Sequence, residues 1–284
     1  MTKLTKLRAE DDGLLCPEVG SWAEDKYKLV SLYDELFASG VRRKWGSRVY
    51  IDLYAGAGYS RVHGTSTVLK GSPMLALTVP HPFDKYIFCE ENPALFAALK
   101  ERTQRIAPSA DVTYVLGNCH AQIESICRSI PSNSPGGALS LCFVDPFDFG
   151  IKFETLRRLS SFKVDFLVLL AIGMDANRNY DHYVDGESHK IDEALGGTEW
   201  RERWKKAGSR RKEFRGFLAE EFARSMSSLG YLEQPLHRMR QVRSDVKNLP
   251  LYHLALFSRH ELAYKFWDEV LKYSTDQTSL GFED

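Results

Sequence analysis

Five apolar runs of strand length, most of them followed by a helical pattern, constrain this chain more than any other feature. They are VYIDLY (49–54), KYIFCEEN (85–92), VTYVLGN (112–118), LSLCFVDPF (139–147) and DFLVLLAIG (165–173). GSPMLAL follows the first, after a Gly/Ser/Thr-rich stretch from Ala55 to Lys70 that reads as a loop. PALFAALKERTQRI follows the second, HAQIESICRSI the third, and a helix over roughly Phe153–Ser160 the fourth. Pro73 and Pro93 fall in the first turns of their helices, where proline is tolerated. Near-continuous apolar strands alternating with helices predict a parallel sheet covered on both faces. An amphipathic helix precedes the set in KYKLVSLYDELFAS (26–39), with Leu29, Leu32, Tyr33, Leu36 and Phe37 on one face. After the fifth run the chain turns polar and irregular from Met174 to about Ser209. A long helix, RRKEFRGFLAEEFARSMSSLG, comes next. Two strand-like runs, about 232–242 and 251–257, are then joined by RSDVKNLP, a connection short enough for an antiparallel hairpin. ELAYKFWDEVL closes the chain as a helix.

Five parallel strands plus a terminal antiparallel pair is the layout of a seven-stranded, mostly parallel Rossmann-like sheet of the methyltransferase type. The expectation is one such α/β domain over 1–284, with helices on both faces and a polar, basic insertion at 174–215 after strand five. The formal net charge is zero, so any nucleic-acid contact must come from a local patch. The five cysteines form no C-x-x-C pair, which gives a zinc site little support and suits a reducing compartment. Cys89 and Cys142 lie inside apolar runs and are expected in the core. The polar start, MTKLTKLRAEDDG, does not read as a signal peptide, and no apolar run approaches the ~20 residues of a membrane span. A cytoplasmic setting is the expectation. No H-E-x-x-H, G-x-S-x-G or P-loop pattern occurs, which argues against metalloprotease, hydrolase and P-loop NTPase chemistry.

In open α/β sheets ligands sit beyond the carboxyl ends of the strands, so those residues are the candidates. Asp52 ends strand one, and Ala55, Gly56 and Gly58 follow in a G-x-G turn that lets backbone approach a ligand. The third position of a dinucleotide fingerprint is Arg61, not glycine. An acid before the turn suits a cationic cofactor such as S-adenosylmethionine, whose amino end Asp52 would orient. The alternative is a plain turn capped by Asp52. Glu90 ends strand two, where a carboxylate accepts from ribose hydroxyls; Glu91 fits a surface acid at a helix N-terminus better. Asn118 follows strand three, where an amide can pair with adenine, or else simply forms the turn. Asp145-Pro146-Phe147 ends strand four. It resembles the D-P-P-[YF] motif of amino-group methyltransferases, in which the acid binds the target amine and the aromatic stacks on a flipped base. Here the second proline is absent. The alternative is that Asp145 caps the turn and Phe147 packs in the core.

The runs SWAEDKYKLVSLYDEL, YIDLYAGAG, GSPMLAL, FCEENP, VDPFDFGIKFETL and LYHLALFSRH, in that order from about Trp22 to Trp267, resemble the three-Cys-motif partner proteins (TcmP). The resemblance implies a class I methyltransferase-like Rossmann fold and a bacterial or phage setting. It also implies a genetic partner with a three-cysteine, radical-enzyme-like motif.

Arg201, Arg203, Lys205, Lys206, Arg210, Arg211 and Lys212 crowd into one short segment, opposed by Glu202 and Glu213. They are candidate phosphate contacts, with Trp200, Trp204, Tyr180 and Tyr183 as candidate stacking groups; the alternative is a solvated face over core tryptophans. Lys26 reads as a solvated helix lysine. His120, His182 and His189 have no partner visible from spacing. The leading expectation is an S-adenosylmethionine-dependent methyltransferase acting on nucleic acid. A catalytically inactive nucleic-acid-binding or adaptor subunit and a small-molecule methyltransferase are the alternatives.

Overall fold

Strand β3 (Ser47–Asp52) is buried at all six positions, which requires cover on both faces. The computed structural model describes residues 7–132, 134–172, 179–208, 210–243 and 250–275. Beside β3 it contains β6 (Lys85–Glu90), β7 (Val112–Leu116), β8 (Ala138–Val144), β9 (Val164–Leu170), β10 (Arg240–Arg243) and β11 (Pro250–Phe257). The sheet order is β10-β11-β9-β8-β3-β6-β7. This is the seven-stranded, mostly parallel Rossmann-like sheet of the class I methyltransferase type that the strand pattern predicts. The chain divides into two compact units, Met1–Phe143 with His260–Asp284, and Val144–Arg259.

In the first unit β3 pairs in parallel with β6, Asp52 opposite Phe88, and with β8, Asp52 opposite Phe143. Strand β7 continues the parallel set from β6. Helix α1 (Ala23–Gly40) buries Leu29, Val30, Tyr33 and Phe37, and Tyr33 meets Trp267 of α10 (Glu261–Thr275) edge-on at 5.9 Å. Arg48 is buried at the start of β3, its guanidinium bonded to Asp84 and to the carbonyls of Ala38 and Pro82. Lys26 is buried on α1, its Nζ 4.4 Å from the Tyr27 ring centroid, and is not the solvated lysine expected. Its stem packs among apolar groups while its charge meets aromatic faces.

The stretch 55–70 is not the loop expected. It forms β4 (Tyr59–Val62) and β5 (Val68–Lys70), an antiparallel pair. The N-terminal segment adds β1 (Arg8–Ala9) to β5 and β2 (Glu18–Val19) to β4. Strands of two to four residues, two of them paired with segments more than 40 residues away, leave little local signature. After it, α2 (Ser72–Leu77), α3 (Pro93–Ile106) and α4 (Ile123–Ser129) follow their strands as expected. Cys89 and Cys142 are fully buried, and burial pushes both thiols up.

In the second unit β9 is buried throughout and pairs antiparallel with β11, Leu170 opposite His253; β11 pairs antiparallel with β10. The terminal antiparallel pair is as expected, although β10 is short and a 3-10 turn, Leu236–Arg238, precedes it. Helix α5 (Phe153–Leu159) lies between β8 and β9. The segment read as irregular contains α6 (Tyr180–Val184), α7 (Lys190–Leu195) and α8 (Trp200–Ala207). At five to eight residues these helices are too short to display a clear period. A 3-10 turn, Arg211–Glu213, leads into α9 (Phe214–Ser228). Residues 174–178 and 209 of the basic stretch, Gly173 of the fifth strand-like run, and 244–249 of the expected hairpin turn lie outside the described residues. Among the described residues no helix is long and apolar enough to cross a membrane.

Candidate functional site

Because β3, β6 and β7 are parallel, the residues after them share one sheet edge. Asp52 is fully buried there, and its Oδ1 accepts from the Tyr54 amide at 3.1 Å, so the acid holds the turn. The buried Ala55 donates its N–H to the Cys89 carbonyl at 2.9 Å. Gly56 adopts φ +62°, and a Cβ on it would meet no atom within 4 Å. Gly58 adopts φ +83°, but a Cβ there would press on Met74 at 3.2 Å. The two glycines therefore differ: Gly56 borders open space, and Gly58 permits close packing.

Glu90 joins this loop to the end of β6. Its Oε2 accepts from Gly56 N and its Oε1 from Asn92 N, both at 2.8 Å. The residue is 8% exposed. An ionised carboxylate offers about four acceptor sites, so each oxygen keeps capacity for a further donor. Asn118 is exposed at the end of β7; its amide donates to Glu91 at 3.0 Å and its Oδ1 accepts from the His120 amide. Glu91 thus belongs to the Asn118 turn. Beneath the loop, Asp34 of α1 is fully buried; burial and then the nearby Asp52 hold its carboxyl well above the usual range.

In the second unit Asp145 is half-buried directly after β8, Pro146 is buried, and Phe147 is fully exposed. Two anchors flank that ring: Phe149 is buried against Phe222, and Asp148 pairs with Lys190 at 2.9 Å. Phe147 is therefore not the core residue of the alternative reading. In the basic segment Arg201 bonds Asp192 at 2.5 Å and Arg203 bonds the buried Glu221 at 2.5 Å. Lys206 lies 3.9 Å from Glu202, Arg210 3.2 Å from Glu213, and Arg211 3.2 Å from Asp181 while covering the Tyr180 ring. Lys205 and Lys212 are exposed. Trp200, Trp204 and Tyr183 are buried, which removes them as base-stacking groups. Trp204 packs on Phe214 and Phe217 at 4.9 Å, the apolar face by which α8 docks on α9.

Two features escaped the sequence reading. His120, which has no partner visible from spacing, is half-buried with Nε2 3.5 Å from Tyr54 Oη, a contact between the turns after β3 and β7. Arg102 of α3 is buried and bonds Asp12, 90 residues away, as well as the Ala57 carbonyl. Its only sequence signal is an arginine on the helix face that also carries the buried Ala98 and Leu99. No group of three His, Cys, Asp or Glu side chains able to hold a metal occurs among the described residues.

The sequence matches no protein-family model, and no curated protein matches it. Solved structures that align with it include protein LPL1258 from Legionella pneumophila, at 10% identity and TM-score 0.50, covering 87% of this chain and 90% of that one. TYW2 of M. jannaschii, in complex with AdoMet, aligns at 10% identity and TM-score 0.41 over 89% of this chain and 86% of that one. Trm1 from Pyrococcus horikoshii, in complex with S-adenosyl-L-methionine, aligns at 8% identity and TM-score 0.41 over 85% of this chain and 57% of that one. The likeness to LPL1258 is one of fold.

Proposed function

We propose that this chain is an S-adenosylmethionine-dependent methyltransferase that acts on nucleic acid. The residues present suit the cofactor: Gly56 leaves open space where a Cβ would stand, and Glu90 keeps acceptor capacity beside it. Gly56 and Gly58, with Ala55 and Asp52 fixing their turn, would hold the methionine end. Glu90 would accept from the ribose hydroxyls, and Asn118 would meet the adenine edge. When bound, the cofactor supplies an electrophilic methyl group. Asp145 would accept a hydrogen bond from the acceptor amine and orient its lone pair, and Phe147 would stack on the base that carries it. Lys205, Lys206, Arg210, Arg211 and Lys212 would contact phosphates.

The observation that carries the acceptor assignment is the fully exposed Phe147 ring, two residues after Asp145. Leaving a phenyl ring in water costs transfer free energy that a stacked base would recover. The test is methyl transfer from labelled cofactor to total RNA and to DNA. Asp145→Ala is expected to lower the rate about 100-fold. Phe147→Ala is expected to weaken nucleic-acid binding about tenfold, the low end of one base–aromatic stack. A wild-type rate in Asp145→Ala and wild-type nucleic-acid affinity in Phe147→Ala would contradict the assignment.

A second reading, a non-catalytic adaptor in the TcmP manner working with a three-cysteine partner, draws on Asn118. Its amide nitrogen and oxygen each hold one internal bond, to Glu91 and from the His120 N–H, which fixes the amide's direction and leaves only one donor and one acceptor site for adenine. Cofactor binding without turnover would favour that reading.

A further inference from the structure

Arg102 satisfies all five of its guanidinium donors inside the first unit. Nε and Nη2 grip Asp12 at 2.8 and 2.6 Å. Nη2 also reaches Leu14 O at 3.2 Å, and Nη1 bonds Leu15 O at 2.9 Å and Ala57 O at 2.7 Å. The side chain is 1% exposed, and its guanidinium lies 4.5 Å from the Tyr59 ring centroid. Four of the five acceptors belong to the N-terminal segment; the fifth is the carbonyl between Gly56 and Gly58.

That carbonyl matters because its neighbours have little steric restraint of their own. Gly56 and Gly58 both have positive φ, a region glycine enters freely and also leaves freely. Three bonds restrain this stretch: Glu90 takes the Gly56 N–H, Arg102 takes the Ala57 carbonyl, and Gly71 N–H donates to the Gly58 carbonyl at 2.7 Å. The N-terminal segment is itself held by β1 on β5, β2 on β4, and Arg61 to Asp11 at 2.5 Å. A lysine cannot reproduce the bond to Ala57 while keeping the fork on Asp12.

We infer that the N-terminal segment braces the Gly56–Gly58 loop through Arg102, a positioning residue that thereby sets ligand affinity. The inference rests on the cofactor reading for the identity of the ligand, and not for the restraint on the loop. A preorganised loop loses less entropy on binding, so loosening it raises Kd.

The experiment compares wild type, Arg102→Lys, Asp12→Ala, and Arg48→Lys as a control. Arg48 is a buried, ion-paired arginine at the opposite end of β3, so its variant reports on general destabilisation. The readouts are melting temperature, amide exchange at Ala55 and Gly56, and calorimetric titration with S-adenosylhomocysteine. Arg102→Lys and Asp12→Ala are expected to speed exchange and to raise Kd, each about tenfold, the weight of one charge-assisted hydrogen bond. Arg48→Lys is expected to lower the melting temperature and leave both unchanged. Variants of Arg102 and Asp12 that melt early but keep wild-type exchange and affinity would overturn the inference. If wild type binds no S-adenosylhomocysteine, the cofactor reading fails and exchange alone decides: faster exchange in both variants upholds the restraint of the loop through Arg102, and wild-type exchange refutes it.

Discussion

Glu90 and Arg102 both restrain the same glycine turn, yet only one was readable from sequence. Glu90 ends an apolar run, so its place at a sheet edge follows from strand periodicity and parallel topology. Arg102 depends on Asp12, and nothing local to either residue announces a pair 90 positions apart. The two glycines look equivalent in G-x-G, but their surroundings separate them. Substituting alanine at Gly56 costs about 1 kcal/mol for a positive φ, with no clash. Gly56→Ala is therefore expected to fold and to raise the Kd for S-adenosylhomocysteine, because the new Cβ enters the open space. Gly58→Ala should lower stability more, through Met74. Denaturant melts beside titrations check both. Trp200 and Trp204 show the reverse limit: a tryptophan four residues from another reads equally as a core stripe or a stacking surface, and only packing on Phe214 decided it.

At the scale of elements, long apolar strands were legible and short ones were not. β3, β6, β8 and β9 have five or more consecutive buried residues, a signal that needs no partner to be recognised. β1 and β2 have two residues each and exist only through β5 and β4. Burial of a whole strand also brings in polar groups. Asp165 of β9 is buried, and that burial pushes its carboxyl up to about 7, against a partial offset from the Ser258 hydroxyl and Arg259. In the unfolded chain the group titrates near 3.8. The native state thus keeps a proton that the unfolded state releases, and stability from this group is full below about pH 4 and lost as pH rises toward 7. Asp165→Asn removes that slope. Its stability relative to wild type is expected to rise between pH 4 and 7 and level off above, by an amount on the order of a few kcal/mol. Urea denaturation at pH 5 and pH 8 checks it; a constant difference would contradict the assignment.

At the scale of the whole molecule, zero net charge means that the nucleic-acid contact we propose must come from a local patch, for which the 201–212 segment is the candidate. Its cations are not equivalent. Arg201 and Arg203 neutralise Asp192 and Glu221, which are 8% and 3% exposed, so they are structural before they are anything else. Arg201→Ala is expected to cost about 2 kcal/mol of stability, because the buried Asp192 loses its arginine and keeps only Trp200 Nε1 and His189 as partners. Lys205→Ala and Lys212→Ala should cost little stability. Each should reduce the slope of log affinity against log salt by about 0.7–0.9 if it meets a phosphate. Unchanged slopes would remove this segment from the nucleic-acid surface and favour a small-molecule acceptor. Charge clustering was legible in sequence; which charges are already committed was not, because the acids that engage Arg201 and Arg203 come from other helices.

The claim on which the rest depends is that the Gly56–Glu90 edge binds S-adenosylmethionine. Calorimetric titration of the purified protein with S-adenosylmethionine and S-adenosylhomocysteine, beside Glu90→Ala, tests it most directly. Wild type is expected to bind both ligands in the micromolar range, and a folded Glu90→Ala to lose at least about tenfold in affinity. Absence of binding by folded wild-type protein, or equal affinity in the variant, would contradict it.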